Sequence, residues 1–170
     1  MVAVTMQAMW TAAPLCASLR AMQPAPYSYR HDPGVPSFDD EHALVVFDGE
    51  CVLCSRSMRL LVRLDRAGRF RLTPAQGVLG QALYRYAGLP TDSFETYLVV
   101  IDGFILTKSD AIIAIAQALP WPGRAAVSLR IAPRRLRDGA YSWVARRRYG
   151  LFGRTKLCGL LNAEMQDRLL

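Results

Sequence analysis

The stretch Leu44–Met58, LVVFDGECVLCSRSM, restricts what this chain can fold into more than any other. Its Leu, Val and Phe residues read as a buried strand over His42–Asp48, because β-branched and aromatic side chains suit a pleat packed on both faces. Asp48-Gly49 interrupts that run, and from Ser55 to Ala67 the pattern switches to helical spacing. Met58, Leu61, Val62 and Asp65 fall on one stripe, widened by Leu60 and Leu64. Arg56, Arg59, Arg63 and Arg66 recur on another face, and Gly68 supplies a stop. Cys51 therefore sits at a strand-to-helix turn and Cys54 one helical turn further in. Three roles are open to them: a redox pair, half of a metal site, or two inert neighbouring thiols.

The remainder of the chain gives the pair its context. Arg69–Thr73 alternates like a strand and ends at Pro74, and Val78–Ala87 reads as a short helix closed by Gly88 and Pro90. Thr96–Ile101 and Phe104–Thr107 flank Asp102-Gly103, a two-residue hairpin signal. Ser109 is expected to cap a helix over Asp110–Leu119, with Asp110 placed to complement the helix dipole and Pro120 and Pro122 ending it. Arg124–Arg148 reads as one or two basic helices split near Pro133, and Leu151–Leu170 as a short, partly helical tail. The order is strand, CxxC, helix, strand, helix, hairpin, helix. This is similar to the thioredoxin core, so the expected class is α/β, a central mixed sheet flanked by helices, with additional basic helices at the C-terminal end.

A helix N-terminus offers unpaired N–H groups and partial positive charge, which stabilise a thiolate and lower its pKa. This assigns Cys51 as attacking thiol and Cys54 as the resolving thiol that closes the ring and releases a mixed-disulfide partner. A zinc site would need more cysteine or histidine at ligand spacing, and Cys16, Cys158, His31 and His42 are all isolated in sequence. Redox exchange is the favoured reading, with metal binding and inert thiols as alternatives. Asp48 and Glu50 oppose thiolate formation at Cys51 while Arg56 favours it. The expectation is a modest lowering of the Cys51 pKa and a fairly reducing couple. Asp48 is either a general base for Cys54 during resolution or a turn residue of Asp48-Gly49.

With these residues in view, FDGECVLC resembles the DxxCxxC signature of the DCC family of thiol-disulfide oxidoreductases. TYLVVIDG, the helix start SDAI and the closing RRRYGLFG followed by Cys158 match as well, so the resemblance spans roughly Leu44 to Cys158. It implies a thioredoxin-like fold and redox function, with Asp48, Cys51 and Cys54 at the signature positions. It implies no bound cofactor: electrons come from a partner thiol system, either an unidentified thiol or disulfide protein or a small thiol such as glutathione. One departure matters. Thioredoxins carry a cis-proline directly before the third core strand, facing the disulfide, whereas Glu95-Thr96 stands there in this chain.

At 170 residues and 52% apolar content the chain is expected to bury one sizeable core in a single domain over residues 42–170. Residues 1–41 are expected to form a disordered or extended tail, with a targeting segment or an early start as alternatives. No apolar run reaches the roughly 18 residues that read as a membrane span. Four scattered cysteines do not make a disulfide scaffold, which points to the cytoplasm. The net charge of +7 is concentrated: Trp121–Lys156 holds nine arginines and one lysine against the single acid Asp138. That segment interleaves Tyr141, Trp143 and Tyr149 with arginine. It is read first as a helix with aromatics packed and arginines solvated, next as a contact for an anionic membrane surface, with nucleic acid disfavoured. A membrane-surface or partner-binding module with a structural or sensing CxxC is the competing functional class. Cys158, in LCGLL, reads as a packed thiol, and Cys16 as incidental.

Overall fold

Five consecutive buried residues, Ala43–Phe47, make up strand β1. It has no polar face because it is central. Strand β2 (Phe70–Pro74) pairs with it in parallel on one side and β3 (Leu98–Ile101) antiparallel on the other. Strand β4 (Phe104–Thr107) adds antiparallel to β3, so the mixed four-stranded sheet runs in the order β2-β1-β3-β4. Alternation along β1 divides the core. Val45 and Phe47 pack with Met58 and Leu61 on one face, and Leu44 and Val46 pack with Leu83 and Tyr84 on the other. The computed structural model describes residues 29–154 and 163–170.

A parallel β1–β2 pair needs a crossover, and helix α1 (Val52–Leu64) supplies it. It begins three residues before the expected Ser55 because Cys51 takes the N-cap position, and it buries the anticipated stripe of Met58, Leu61 and Val62. Asp65 ends that stripe as a polar tether: its carboxylate accepts from the Phe70 N–H at 3.0 Å and from Arg168 at 3.1 Å. Helix α2 (Val78–Tyr86) covers the opposite face. Asp102 and Gly103 both have positive φ, 51° and 83°, as a two-residue hairpin turn with the sheet's twist requires.

Helix α3 spans Lys108–Ala118, and its start differs from expectation. Thr107 holds the N-cap position without a side-chain bond, and Ser109 lies inside the first turn. The acceptor comes from elsewhere in the chain: Asp138 receives the Ser109 hydroxyl and also its N–H at 3.4 Å. Asp110 faces arginines, with Arg137 at 2.6 Å and Arg134 at 3.0 Å.

Beyond it, a 3-10 segment over Gly123–Ile131 and helix α4 (Arg134–Phe152) meet at Pro133, where the sequence placed the split. The short helix α5 (Ala163–Gln166) leads to a C-terminal end laid along the free edge of β2. There Leu72 donates to the Arg168 carbonyl at 2.8 Å and accepts from Leu170 at 2.9 Å, covering backbone that would otherwise stay open to pairing. Within the expected tail, residues 29–41 are described: Tyr29 is buried against the Leu44 face of the sheet and donates to Asp40 at 2.9 Å. Cys16 and Cys158 lie outside the described residues. Among the described residues no helix is long and apolar enough to cross a membrane. The sheet and its helices form a thioredoxin-like α/β fold, as the element order indicated.

Close packing of α2 on the end of β2 yields a first test. A Cβ at Gly80 would lie 2.3 Å from the Pro74 carbonyl oxygen and 2.7 Å from Ala75 Cα, and neither backbone atom can step aside. Gly80→Ala should destabilise the fold by about 2–3 kcal/mol. At Gly139, in α4, a Cβ meets nothing within 4 Å, and Gly139→Ala should stabilise by about 0.5–1 kcal/mol. Urea unfolding of both variants checks the pair of signs.

Candidate active site

The β1–α1 turn is built around Asp48. Its Oδ1 accepts the Glu50 N–H at 3.0 Å, an Asx turn that swings the chain from strand to helix, and the Gln76 amide at 2.7 Å. Gln76 also accepts the Gly49 N–H at 3.1 Å, so the loop after β2 holds both ends of the turn. Asp48 Oδ2 faces α4, where Arg148 Nη2 donates at 2.8 Å and the Tyr149 hydroxyl donates as well. Asp48 is therefore a turn residue, as one reading had it, and also half of a buried ion pair whose side chains are 1% and 5% exposed.

Arg148 is the residue that sequence reasoning missed. The arginines of this segment were read as solvated, yet Arg148 is 4% exposed and anchored by the Phe94 carbonyl at 2.8 Å and the Ala145 carbonyl at 3.1 Å. The signal was present in spacing. Tyr141, Ala145 and Arg148 stand at i, i+4 and i+7, one helical stripe that half-buries its tyrosine, buries its alanine and carries the arginine inward with them. Tyr141 accepts the Tyr97 N–H at 2.8 Å, and the rings of Tyr149 and Trp143 hold guanidinium groups: Arg154 at 4.1 Å from the former and Arg147 at 4.6 Å from the latter. Tyr141 and Tyr149 thus pack as expected, whereas Trp143 is exposed and does not. Arg56, expected to support the thiolate, is exposed, and Arg148 acts in its place.

Both thiols are free and buried, Cys51 at 0% and Cys54 at 6% exposure. Cys51 Sγ accepts the Cys54 N–H at 3.3 Å, so the attacking candidate is itself the cap of α1. The two sulfurs are electrostatically unlike. Cys51 is pulled down to about 6, first by the hydrogen bond from the Cys54 thiol, which outweighs burial, then by the Cys54 N–H and the Arg148 charge; Asp48 opposes. This is a larger fall than the neighbouring acids led one to expect, chiefly because the Cys54 thiol donates to Cys51 and, after it, because the unforeseen Arg148 offsets Asp48. Cys54 is pushed up by that same hydrogen bond, by burial and by the Cys51 charge, with the Tyr97 hydroxyl partly offsetting them. Asp48 is raised by burial, but the bonds from Tyr149, Arg148, Glu50 and Gln76 prevail and hold its carboxyl below the usual range. An ionised carboxylate bound to Arg148 is a poor store for the Cys54 proton.

Ligand atoms of Asp48, Cys51 and Cys54 lie within 4.8 Å of one another, the spacing of a metal trio. Asp48 would have to abandon Arg148, Tyr149 and Gln76 to coordinate an ion, which argues against that alternative. His42 is turned to Asp39 at 3.0 Å and takes no part. A cavity of about 360 Å³ opens beside Cys54, between α1, the segment before β3, α3 and α4. In the structure β3 begins at Leu98, so the position directly before it, which thioredoxins give to cis-proline, belongs here to Tyr97, and the Thr96 carbonyl beside it accepts the Tyr84 hydroxyl.

Comparison with known proteins agrees with this geometry. The family model of DCC1-like thiol-disulfide oxidoreductases matches residues 45–154, from β1 to the end of α4 and just past it. The chain is 35% identical over 127 residues to the uncharacterized protein YuxK of Bacillus subtilis, covering 75% of this chain and 93% of that one. It is 32% identical over 124 residues to a chloroplastic DCC family protein of Arabidopsis thaliana, covering 72% of each. No solved structure matches.

The unlike thiols make reduced-state stability depend on pH. Cys51 releases its proton near pH 6 when folded, whereas an unfolded cysteine keeps it to about 8.5. Between those values the unfolded chain binds more protons, so stability rises with pH. The raised Cys54 acts oppositely: the folded chain holds that proton past about 8.5, and stability falls again above it. The urea midpoint of the reduced chain should therefore climb from about pH 6 to about 8, and Cys51→Ser should flatten the climb. A reduced chain whose midpoint ignores pH across that window would contradict the assignment.

Proposed function

This chain belongs to the DCC1-like thiol-disulfide oxidoreductase family, and from that premise we propose that it exchanges electrons through a Cys51–Cys54 dithiol/disulfide couple. Cys51 is the attacking thiolate and Cys54 the resolving thiol. The observation that carries this reading is the asymmetry of the pair: Cys51 Sγ caps α1 and accepts the Cys54 N–H at 3.3 Å, which favours the thiolate on Cys51, while its neighbour, one helical turn away, is pushed toward keeping its proton. A thiolate present at neutral pH is the nucleophile exchange requires, and a protonated partner does not compete with it for the first attack. The family supports redox function as such; the division of labour between the sulfurs is our inference.

In this scheme Arg148 and Asp48 are positioning residues. Their ion pair places positive charge where it lowers Cys51 while Asp48 stays ionised. Because the same contacts stabilise the thiolate, they stabilise the reduced state over the disulfide, which makes the couple more oxidising. That departs from the fairly reducing couple expected from Asp48 and Glu50 alone.

The competing class, a membrane-surface module, draws support from one observation. Among the described residues, eight of the eleven exposed large apolar ones, including Trp121, Ile131, Leu136, Trp143 and Leu151, lie between 121 and 152 among the arginines. A redox titration in defined dithiol buffers, with alkylation and mass spectrometry, separates the two. Exchange predicts a reversible Cys51–Cys54 disulfide with a midpoint less negative than about −270 mV, the value of thioredoxin, and none in Cys51→Ser. If the thiols never pair, and the chain binds anionic vesicles equally well with or without Cys51, the surface reading takes over.

A further inference from the structure

The exchange site uses one side of α4, the stripe through Tyr141, Ala145 and Arg148, and leaves the other side exposed. Leu136, Ala140, Trp143 and Arg147 stand at i, i+4, i+7 and i+11, a second stripe turned to solvent, and Leu151 extends it by one more turn. Leu136 is 68% exposed, and Ile131, just before the Pro133 junction, is 89% exposed. Arg135 and Arg146 run beside this stripe, with Gly139 and Gly150 between them and it. A Cβ at either glycine would meet nothing within 4 Å, so the face is open.

Charge decides what such a face can meet. Arg134, Arg137 and Arg148 are answered by Asp110, Asp138 and Asp48, and Arg154 lies 4.0 Å from Glu50. Arg124, Arg130, Arg135, Arg146 and Arg147 are exposed, and no carboxylate among the described residues pairs with them. An occupant must therefore bring negative charge together with an apolar interior. Residues 1–28 contain no acid, so that segment would leave the arginines unanswered. A second copy meeting this face by two-fold symmetry would set arginine against arginine. A nucleic acid offers phosphates but no apolar depth for Ile131, Leu136 and Leu151. An anionic bilayer offers both, headgroup charge for the guanidinium groups and the acyl boundary for the indole and aliphatic side chains. Arg147 lies over the Trp143 ring at 4.6 Å, so an indole entering that boundary would bring its own cation to the headgroups.

We propose that the outer face of α4, with the exposed 3-10 segment before it, docks this domain on an anionic membrane surface, lying among the headgroups without crossing the bilayer. Docking and exchange then do not compete for residues. Arg148 turns inward to Asp48, while Leu136, Trp143 and Leu151 turn outward on the same helix. The docking stands on geometry and charge alone. Its consequence for exchange, which rests on that reading, is that the thiol pair meets its disulfide or thiol partner at a membrane surface.

Co-sedimentation of the reduced full-length chain with vesicles tests the proposal, using phosphatidylcholine alone and phosphatidylcholine mixed with phosphatidylglycerol. The chain should bind the mixed vesicles roughly tenfold or more tightly than the neutral ones, and high salt should erase the difference. Each arginine near an anionic surface contributes about fivefold, so Arg135→Gln with Arg146→Gln should weaken binding to the mixed vesicles roughly tenfold or more. Leu136→Ser with Trp143→Ser keeps the charge and should weaken it by a similar factor, because the apolar contact is lost. Both pairs alter exposed side chains, and neither should move the Cys51–Cys54 redox midpoint measured without lipid. No saturable binding, equal binding to neutral vesicles, or indifference to either pair of substitutions would each overturn the docking. So would tighter capture of a duplex oligonucleotide than of vesicles, or self-association through Leu136 and Trp143 in a chain that ignores lipid. A chain that binds vesicles as described but never forms a Cys51–Cys54 disulfide keeps the docking and loses the oxidoreductase reading.

Discussion

The ion pair between Asp48 and Arg148 joins two residues 100 positions apart, and the rest of the site depends on it. Asp48 sits on the turn that sets the direction of α1, and Arg148 on the inner stripe of α4. Their contact fixes the C-terminal helix against the mouth of the CxxC turn. A pair so fully removed from water is weak evidence for stability, since desolvation consumes much of the Coulomb gain. Its geometry suggests a different use. The Asp48 carboxylate is satisfied from three segments, through Glu50 of its own turn, Gln76, and the adjacent Arg148 and Tyr149 of α4, which together restrain the turn.

The consequence for the sulfurs follows from charge placement. An acid beside a thiol ordinarily discourages ionisation. Here Asp48 is neutralised by its own partner, and the guanidinium contributes directly to Cys51. The Cys54 N–H at the first turn of α1 adds a donor, and the Cys54 thiol adds another. The Cys54 thiol's bond that favours the anion on Cys51 disfavours one on Cys54, whereas Arg148 favours both, so the asymmetry is a property of the pair. The strongly basic composition of the C-terminal segment thereby has two destinations: Arg148, Arg137 and Arg134 meet acids of the domain, and other arginines remain in the company of exposed Trp143 and its neighbours.

Much of the fold was legible because local rules and burial agree. The uninterrupted apolar run of β1, the Asp102-Gly103 turn and the stripe on α1 each have one economical solution, and the structure adopts it. Helix starts were less legible. Ser109 carries the right chemistry for a cap, but Asp138, 29 residues later, supplies the acceptor, and no local pattern encodes that. For the site, Cys51 and Cys54 announce themselves by spacing, and Asp48 by its place before them. Arg148 does not, because in a run of three arginines composition favours solvent for all of them. Only the helical register against Tyr141 and Ala145 singles it out. Gln76 and Tyr97 enter from neighbouring strands and loops and carry no sequence signal of their own.

The central claim is that a distant arginine adds to the acidity that Cys54 and the helix terminus give the first cysteine. The most direct test is a pH titration of the Cys51 thiolate by ultraviolet absorbance, in the reduced chain and in Arg148→Met, with Cys54→Ser in both to isolate the signal and Asp48→Asn added to the arginine variant so that no buried charge is left unpaired. Removing the Cys54 thiol itself raises the starting value, so the comparison is between the two chains. The account predicts that loss of the Asp48–Arg148 pair moves the midpoint upward, toward the ordinary cysteine value of about 8.5. Equal midpoints in the two chains would contradict it, and the low pKa would then belong to the Cys54 thiol and the helix terminus.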